Sequence, residues 1–146
     1  MTNPRKKFLK KFALILLGTL LAVFAVKSAV SFISDAAGSV SEEEAAAFLK
    51  DCGWEIERGS AESEDVYIPS SFSEMYERYN AIQLKQGYDL SKYKGERVIK
   101  YSFVITNYKG FDNVRAHVLT WGGRIIGGDI CSTELNGFMT GFGGEE

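Results

Sequence analysis

The chain has 146 residues, of which 45% are hydrophobic and 13% aromatic, and its formal net charge is −2. This length allows one domain of ordinary size rather than two. Because residues 1–11 hold five basic side chains and no acidic one, residues 12–146 together carry a formal charge of −7. An acidic body argues against nucleic-acid binding. The fifteen aromatic residues that follow residue 33 exclude a disordered stalk.

The most distinctive segment is a basic and then apolar stretch near the N-terminus. The basic part is Arg5, Lys6, Lys7, Lys10 and Lys11. The apolar part, residues 12–33, holds one charge, Lys27, whose ammonium can reach the headgroups near the end of a span. A helix of that length can cross a bilayer, which needs about 20 residues. Since basic residues before a span stay in the cytoplasm, residues 12–33 are predicted to be a single-pass anchor of the cell membrane, with the following domain outside.

A cleaved signal peptide is the alternative interpretation of this segment. Small residues follow the apolar part at 36–38, as they do at a cleavage site. Lys27 interrupts the region where that site would be expected, which favours the uncleaved anchor. The predicted organisation is a cytoplasmic tail at 1–11, the anchor at 12–33, a linker at 34–40 and an extracytoplasmic domain at 41–146.

Four small residues lie on one face of the predicted anchor helix. They are Gly18, Ala22, Ala25 and Ala29. Small side chains at spacings of three and four residues allow two membrane helices to approach closely. This face is compatible with self-association, but small residues are common in membrane helices, so a helix without a specific partner is the favoured interpretation.

The outer domain contains two helix signals. Ser41 followed three residues later by Glu44 is a capping box, and Gly53 ends the first helix. A second capping box at 71–74 opens a helix that ends near Gly87. The first apolar stripe is Ala45, Phe48, Leu49 and Cys52, and the second is Phe72, Met75, Tyr76, Tyr79 and Ile82 or Gln83.

Alternation of apolar and polar residues predicts the strands. They span 54–57, 66–68, 96–107, 114–121 and 124–131. The polar segment 59–65 is predicted to be a loop, and Gly122 and Gly123 form a tight hairpin turn. A glycine-rich tail follows. The predicted fold class is α+β, with two helices packed on an antiparallel sheet of three to five strands that ends in a meander.

A cysteine–histidine nucleophile pair is the most specific catalytic hypothesis that the sequence offers. The chain has one histidine and two cysteines. A two-residue turn at 122–123 sets His117 opposite Gly128 and Cys131 opposite Val114. In this register the histidine and cysteine side chains point to opposite faces of the sheet, unless a bulge at the glycine pair shifts it. No catalytic residue is therefore assigned.

The same register makes a disulfide between Cys52 and Cys131 a candidate. It puts Cys131 on the face that carries Val114 and Ala116, where the first helix is expected to pack. Cys52 lies in the apolar stripe of that helix. An extracytoplasmic location permits the bond, but two free, buried thiols are the favoured expectation.

No metal and no cofactor is predicted. Two distant cysteines and one histidine lack the short ligand spacing of a zinc site. The glycines of segment 121–128 lack the Lys-Ser/Thr pair of a phosphate loop. Asp129 and Glu134 are noted as carboxylates near a strand end, without a geometry that would define a hydrolase pair.

Several segments of the sequence resemble those of an uncharacterised bacterial family, domain of unknown function 4830. They are residues 47–56, the Ile68-Pro69 step before a tyrosine-rich helix, residues 87–95 and residues 124–132. The resemblance covers about residues 41–142. It implies a membrane-anchored domain on the surface of a Gram-positive type of cell. It supplies no activity, ligand or functional residue.

The function expected from the sequence is a non-catalytic module that binds an envelope protein or another envelope ligand. A compact domain with complete structural signals and no assembled catalytic set motivates this expectation. One alternative is an envelope hydrolase that uses either the thiol of Cys131 or clustered carboxylates. The other is a subunit of a membrane complex that acts through its span.

Overall fold

The computed structural model describes residues 38–144. In chain order the elements are α1 (Glu42–Asp51), β1 (Glu62–Tyr67), α2 (Glu74–Lys85), a 3-10 turn (Leu90–Tyr93), β2 (Arg97–Ile105), β3 (Val114–Trp121), β4 (Arg124–Ser132) and β5 (Met139–Thr140). The predicted tail, the anchor at 12–33 and its face of Gly18, Ala22, Ala25 and Ala29 lie outside the described residues. Within residues 38–144, neither helix is long and apolar enough to cross a bilayer.

The five strands form one antiparallel sheet in the order β1-β2-β3-β4-β5, so every strand pairs with its neighbour in sequence. The predicted α+β architecture is confirmed. Two strand predictions were wrong. Residues 54–57 contribute only an isolated bridge between Ile56 and Ile105, and β1 begins at Glu62, inside the predicted loop. As an edge strand with mostly exposed side chains, β1 carries a polar sequence without alternation.

Each helix begins at a serine cap. The capping box of α1 is confirmed, because Ser41 Oγ accepts from the Glu44 amide at 3.2 Å and Glu44 Oε2 accepts from the Ser41 amide at 2.8 Å. The predicted start of α2 was two residues early. Ser73 is the cap, and its Oγ accepts from the Tyr76 amide at 3.3 Å. Met75, placed in the predicted apolar stripe, is instead exposed.

The helices pack on opposite faces of the sheet. One face, which carries Phe103, Ala116 and Ile130, packs against Leu49 of α1 and other core residues. The opposite face carries Val98, Leu119 and Ile126 and packs against Leu90 and the tyrosines of α2. Residues of β3 and β4 thus face α1 or α2 according to their position in the strand.

A β-bulge in β4 decides which residue faces which helix. Thr120 pairs with Ile125, but Leu119 pairs with Gly127, so Ile126 is an extra residue. The predicted register was therefore wrong beyond the bulge: His117 lies opposite Asp129. Glycine is needed next to the bulge, because a Cβ atom at Gly128 would lie closer than 3.0 Å to the His117 carbonyl oxygen.

Candidate functional site

The bulge brings three titratable side chains together on the face that α2 covers. His117 on β3 lies opposite Asp129 on β4, and Cys131 lies two residues further along β4. The Nδ1 atom of His117 is 3.0 Å from Oδ2 of Asp129 and 3.8 Å from Sγ of Cys131. The expectation that His117 and Cys131 point to opposite faces was wrong, because it assumed a hairpin without a bulge.

Asp129 is the centre of this cluster. Its side chain is 3% exposed. While Oδ2 meets His117, Oδ1 accepts a hydrogen bond of 2.8 Å from the Tyr79 hydroxyl of α2. Burial raises the pKa of the Tyr79 hydroxyl most, and the negative charge of Asp129 raises it further. The hydroxyl therefore keeps its proton and remains a hydrogen-bond donor. A buried carboxylate with a partner on each oxygen is held in one orientation.

Two glutamines of α2 fix the helix over β4. The amide of Gly128 donates to Gln83 Oε1 at 2.8 Å, and Gln86 Nε2 donates to the Gly128 carbonyl at 3.1 Å. These bonds satisfy backbone groups next to the bulge. The polar residues of α2 thereby hold Tyr79 above Asp129.

Cys131 is a protonated thiol at neutral pH. Burial, followed by the charge of Asp129 and a hydrogen bond with it, raises the pKa of the Cys131 thiol to about 12, although Arg115 and Lys100 oppose this shift. The thiolate is the nucleophilic form of cysteine. The cysteine and histidine are therefore adjacent, but the cysteine is not activated.

Two ion pairs flank the cluster on the side of β1. Lys100 lies 2.6 Å from Glu64, and Arg115 lies 3.1 Å from Glu62. The hydrogen bond from Lys100 holds the pKa of Glu64 below its usual range. Because both bases are paired with carboxylates, the rim of the site has little net charge.

A pocket of about 570 Å³ lies between α2 and this face of the sheet. Its polar lining consists of Arg78, Lys100, His117 and Asp129. The apolar lining comes from β1, α2, β3 and β5 and consists of Val66, Tyr67, Ile68, Met75, Tyr76, Tyr79, Ile82, Leu119 and Met139. The pocket therefore has largely apolar walls and four polar groups, two from the Asp129 cluster and two bases that are paired with glutamates.

The two cysteines lie in different environments. Both are free thiols, Cys52 at the C-terminal cap of α1 and exposed, Cys131 buried. The face assignment behind the candidate disulfide was wrong, since Cys131 lies opposite Arg115 and faces α2, whereas α1 packs on the other face. Burial, followed by the charge of Asp51, raises the pKa of Cys52.

The other carboxylate noted in the sequence, Glu134, has a structural contact. Its Oε1 atom accepts a hydrogen bond of 3.1 Å from the Asp112 amide. Sequence reasoning placed Tyr79 in an apolar stripe and did not connect it with Asp129. The glycine pair 127–128 was the available signal, because glycines inside a strand often mark a bulge.

The cluster is also the set of side chains that could hold a metal ion. One ligand atom from each of His117, Asp129 and Cys131 lies within 4.8 Å of the others. The sequence argument against a zinc site rested on distance along the chain. Paired strands bring together residues that are far apart in the sequence, so distance along the chain does not argue against a zinc site here.

Comparisons with known proteins give a family and no described activity. No curated protein matches the chain significantly, and no solved structure does. The family described as domain of unknown function (DUF4830) matches residues 48–130, which include α2, the bulge, His117 and Asp129. This match spans more than half of the 146 residues. The chain therefore belongs to the family of the domain of unknown function DUF4830.

Proposed function

We propose that this chain is a membrane-anchored, extracytoplasmic module that binds a small and largely apolar ligand without transforming it. The pocket of about 570 Å³ between α2 and the sheet carries the proposal. Sites for small molecules measure about 300–1,000 Å³ and combine apolar walls with a few polar groups that orient the ligand. The apolar walls of this pocket and the few polar side chains that line it fit this pattern.

The exposed residues around the pocket support an apolar ligand. Met75 is 81% exposed and Met139 is 49% exposed, although both line the pocket. Methionine adapts its shape to different apolar partners. Since the two bases that line the pocket, Arg78 and Lys100, are already paired with glutamates, a neutral hydroxyl or amide of the ligand suits the polar groups better than a carboxylate.

The location is proposed on the charge pattern of the sequence. Five basic residues precede the apolar segment 12–33, which favours a cytoplasmic N-terminus and an outward domain. A membrane-impermeant maleimide should label exposed Cys52 in intact cells. Labelling that requires cell lysis would contradict this orientation.

Photolabelling with a diazirine derivative of octanol tests ligand binding on the full chain in liposomes. Peptide mapping should find the label concentrated on α2 and β5, at the pocket walls. Met75→Glu should reduce this labelling about tenfold or more, because it puts a charge at the pocket mouth. The matched control is Leu84→Glu on the same helix, which is 55% exposed and should leave the labelling unchanged.

Two results would contradict the binding proposal. One is label spread evenly over exposed apolar residues such as Leu84 and Leu135. The other is an equal loss of labelling in both charged variants, which would point to a general effect of charge on the helix.

The hydrolase alternative takes second place. It is favoured by the short distances among His117, Asp129 and Cys131. It is disfavoured by the raised pKa of the Cys131 thiol. An activity that Cys131→Ala abolishes while photolabelling is retained would favour the hydrolase over the binding module.

A further inference from the structure

We propose that His117, Asp129 and Cys131 form a three-ligand site for a divalent transition metal, with zinc as the expected ion. The inference goes beyond the proposed ligand binding and can be tested independently of it. Imidazole, carboxylate and thiolate are all established zinc ligands. The chain has one histidine, so an imidazole ligand can come only from His117.

The distances among the three ligand atoms suit a tetrahedral centre. With zinc bonds of about 2.0–2.3 Å, neighbouring ligand atoms lie about 3.3–3.6 Å apart. Here Nδ1 of His117 lies 3.0 Å from Asp129 Oδ2 and 3.8 Å from Cys131 Sγ. All three atoms lie within 4.8 Å of one another. The two distances from Nδ1 differ from the ideal separation by a few tenths of an ångström, and rotation of the Asp129 and Cys131 side chains by up to about 1 Å would bring the third pair to it.

The charges of the ligands balance those of the ion. A thiolate and a carboxylate together offset a double positive charge, and the imidazole is neutral when it binds a metal. On binding, the thiol proton of Cys131 leaves to solvent, and the imidazole that binds through Nδ1 carries its single proton on Nε2, so no redox partner is required. The nearby bases Lys100 and Arg115 are paired with Glu64 and Glu62, which reduces their repulsion of a cation.

The surroundings of the ligands pre-organise the site. Tyr79 donates to Oδ1 of Asp129, which leaves Oδ2 directed at His117 and available to the ion. An outer hydrogen bond of this kind orients a carboxylate ligand. The ligands lie on two paired strands rather than on loops, so the backbone holds their spacing.

The remaining coordination position would face the pocket. His117 and Asp129 both line the pocket, whereas Cys131 is buried and is not among the lining residues. Three protein ligands and one open position are typical of zinc sites that bind water or a substrate. A polar group of a pocket ligand could therefore bind the ion directly.

The test uses Co²⁺, whose bond to a thiolate gives a charge-transfer band, added to the tag-free, reduced full chain. We expect one Co²⁺ per chain and displacement of the band by Zn²⁺. Cys52→Ser should keep the band. Because the chain has two cysteines, a band in this variant can come only from Cys131. Cys131→Ser should remove the band and weaken Zn²⁺ binding more than about 100-fold, since even outer-shell changes cost about 10–100-fold.

A variant that preserves all three ligands tests the outer hydrogen bond. Tyr79→Phe should weaken Zn²⁺ binding about 10–100-fold with the stoichiometry unchanged. The imidazole resonances of the single histidine should shift when Zn²⁺ binds to the wild-type chain. The proposal is overturned if Cys52→Ser lacks the band, if the histidine resonances do not respond, or if Zn²⁺ does not bind. The Cys52→Ser result decides the matter even if Cys131→Ser does not fold.

Discussion

Gly128 is the residue at which β3, β4, α2 and the C-terminal segment meet. Its amide and carbonyl bind the two glutamines of α2. On the other side of the sheet, the ring of Phe142 lies so near that a Cβ atom would approach it to less than 3.0 Å. The missing side chain is therefore a condition for the close approach of these elements.

Gly128→Ala should lower the free energy of unfolding by about 1–3 kcal/mol or more, because the added carbon overpacks this contact. Urea denaturation of the full chain measures the change. Gly143→Ala is the matched control, since a Cβ atom there meets nothing within 4 Å, and its effect should stay within about 0.5 kcal/mol. Equal stability of the two variants would contradict the assigned packing.

At the scale of elements, α2 is unusual because its buried positions are polar. Asn80 and Gln83 are its buried residues. Asn80 accepts from the Leu90 amide at 2.8 Å, and Gln83 accepts from Gly128. The helix is thus joined to the 3-10 turn and to the bulge by hydrogen bonds as well as by the apolar cluster around Leu119. The pattern of apolar residues therefore predicts the helix itself, but it does not predict the hydrogen bonds that join α2 to its neighbours.

Ser73→Ala should cost about 1 kcal/mol of stability, because its hydroxyl caps the first turn of α2. Ser71→Ala tests the capping position predicted from the sequence and should have almost no effect. Thermal unfolding of both variants under the same conditions provides the comparison. A larger effect at Ser71 would show that the helix begins earlier than the structure indicates.

For the whole molecule, two apolar layers on opposite faces of one sheet bury much of the aromatic content. Burial is the first cause of a raised pKa at four tyrosines: Tyr76, Tyr79, Tyr88 and Tyr101. In the unfolded chain a tyrosine ionises at a pH of about 10. The folded protein keeps these protons to higher pH. The stabilisation they contribute is present below that pH and is lost as the pH rises further.

The free energy of unfolding should therefore fall as the pH is raised from about 9 to 11. The free energy of unfolding of the Tyr79→Phe variant should fall less steeply over this pH range. The substitution removes one hydroxyl that ionises more readily in the unfolded chain than in the folded one. Urea denaturation at several pH values, compared between the wild type and this variant, measures both slopes. Identical slopes would argue against the burial of the Tyr79 hydroxyl beside Asp129.

The sequence by itself determined both helices and the three central strands, since their signals are local. The capping box at Ser41, the glycine turn at 122–123 and the alternation in β2 each depend on a few neighbouring residues. They predicted α1, the hairpin and the α+β class. Only the end of the polar edge strand β1 was predicted, within 66–68, because an exposed strand needs no alternation.

Only the tertiary structure decided the site. One extra residue, Ile126, shifts the pairing of β3 with β4 and so moves His117 and Cys131 to the same face. Whether a strand bulges depends on what packs against it, here Gln83 of α2 and Phe142, which lie far away in the sequence. Side-chain direction in a strand alternates with every residue, so a local pattern could not reveal the meeting of His117 with Asp129.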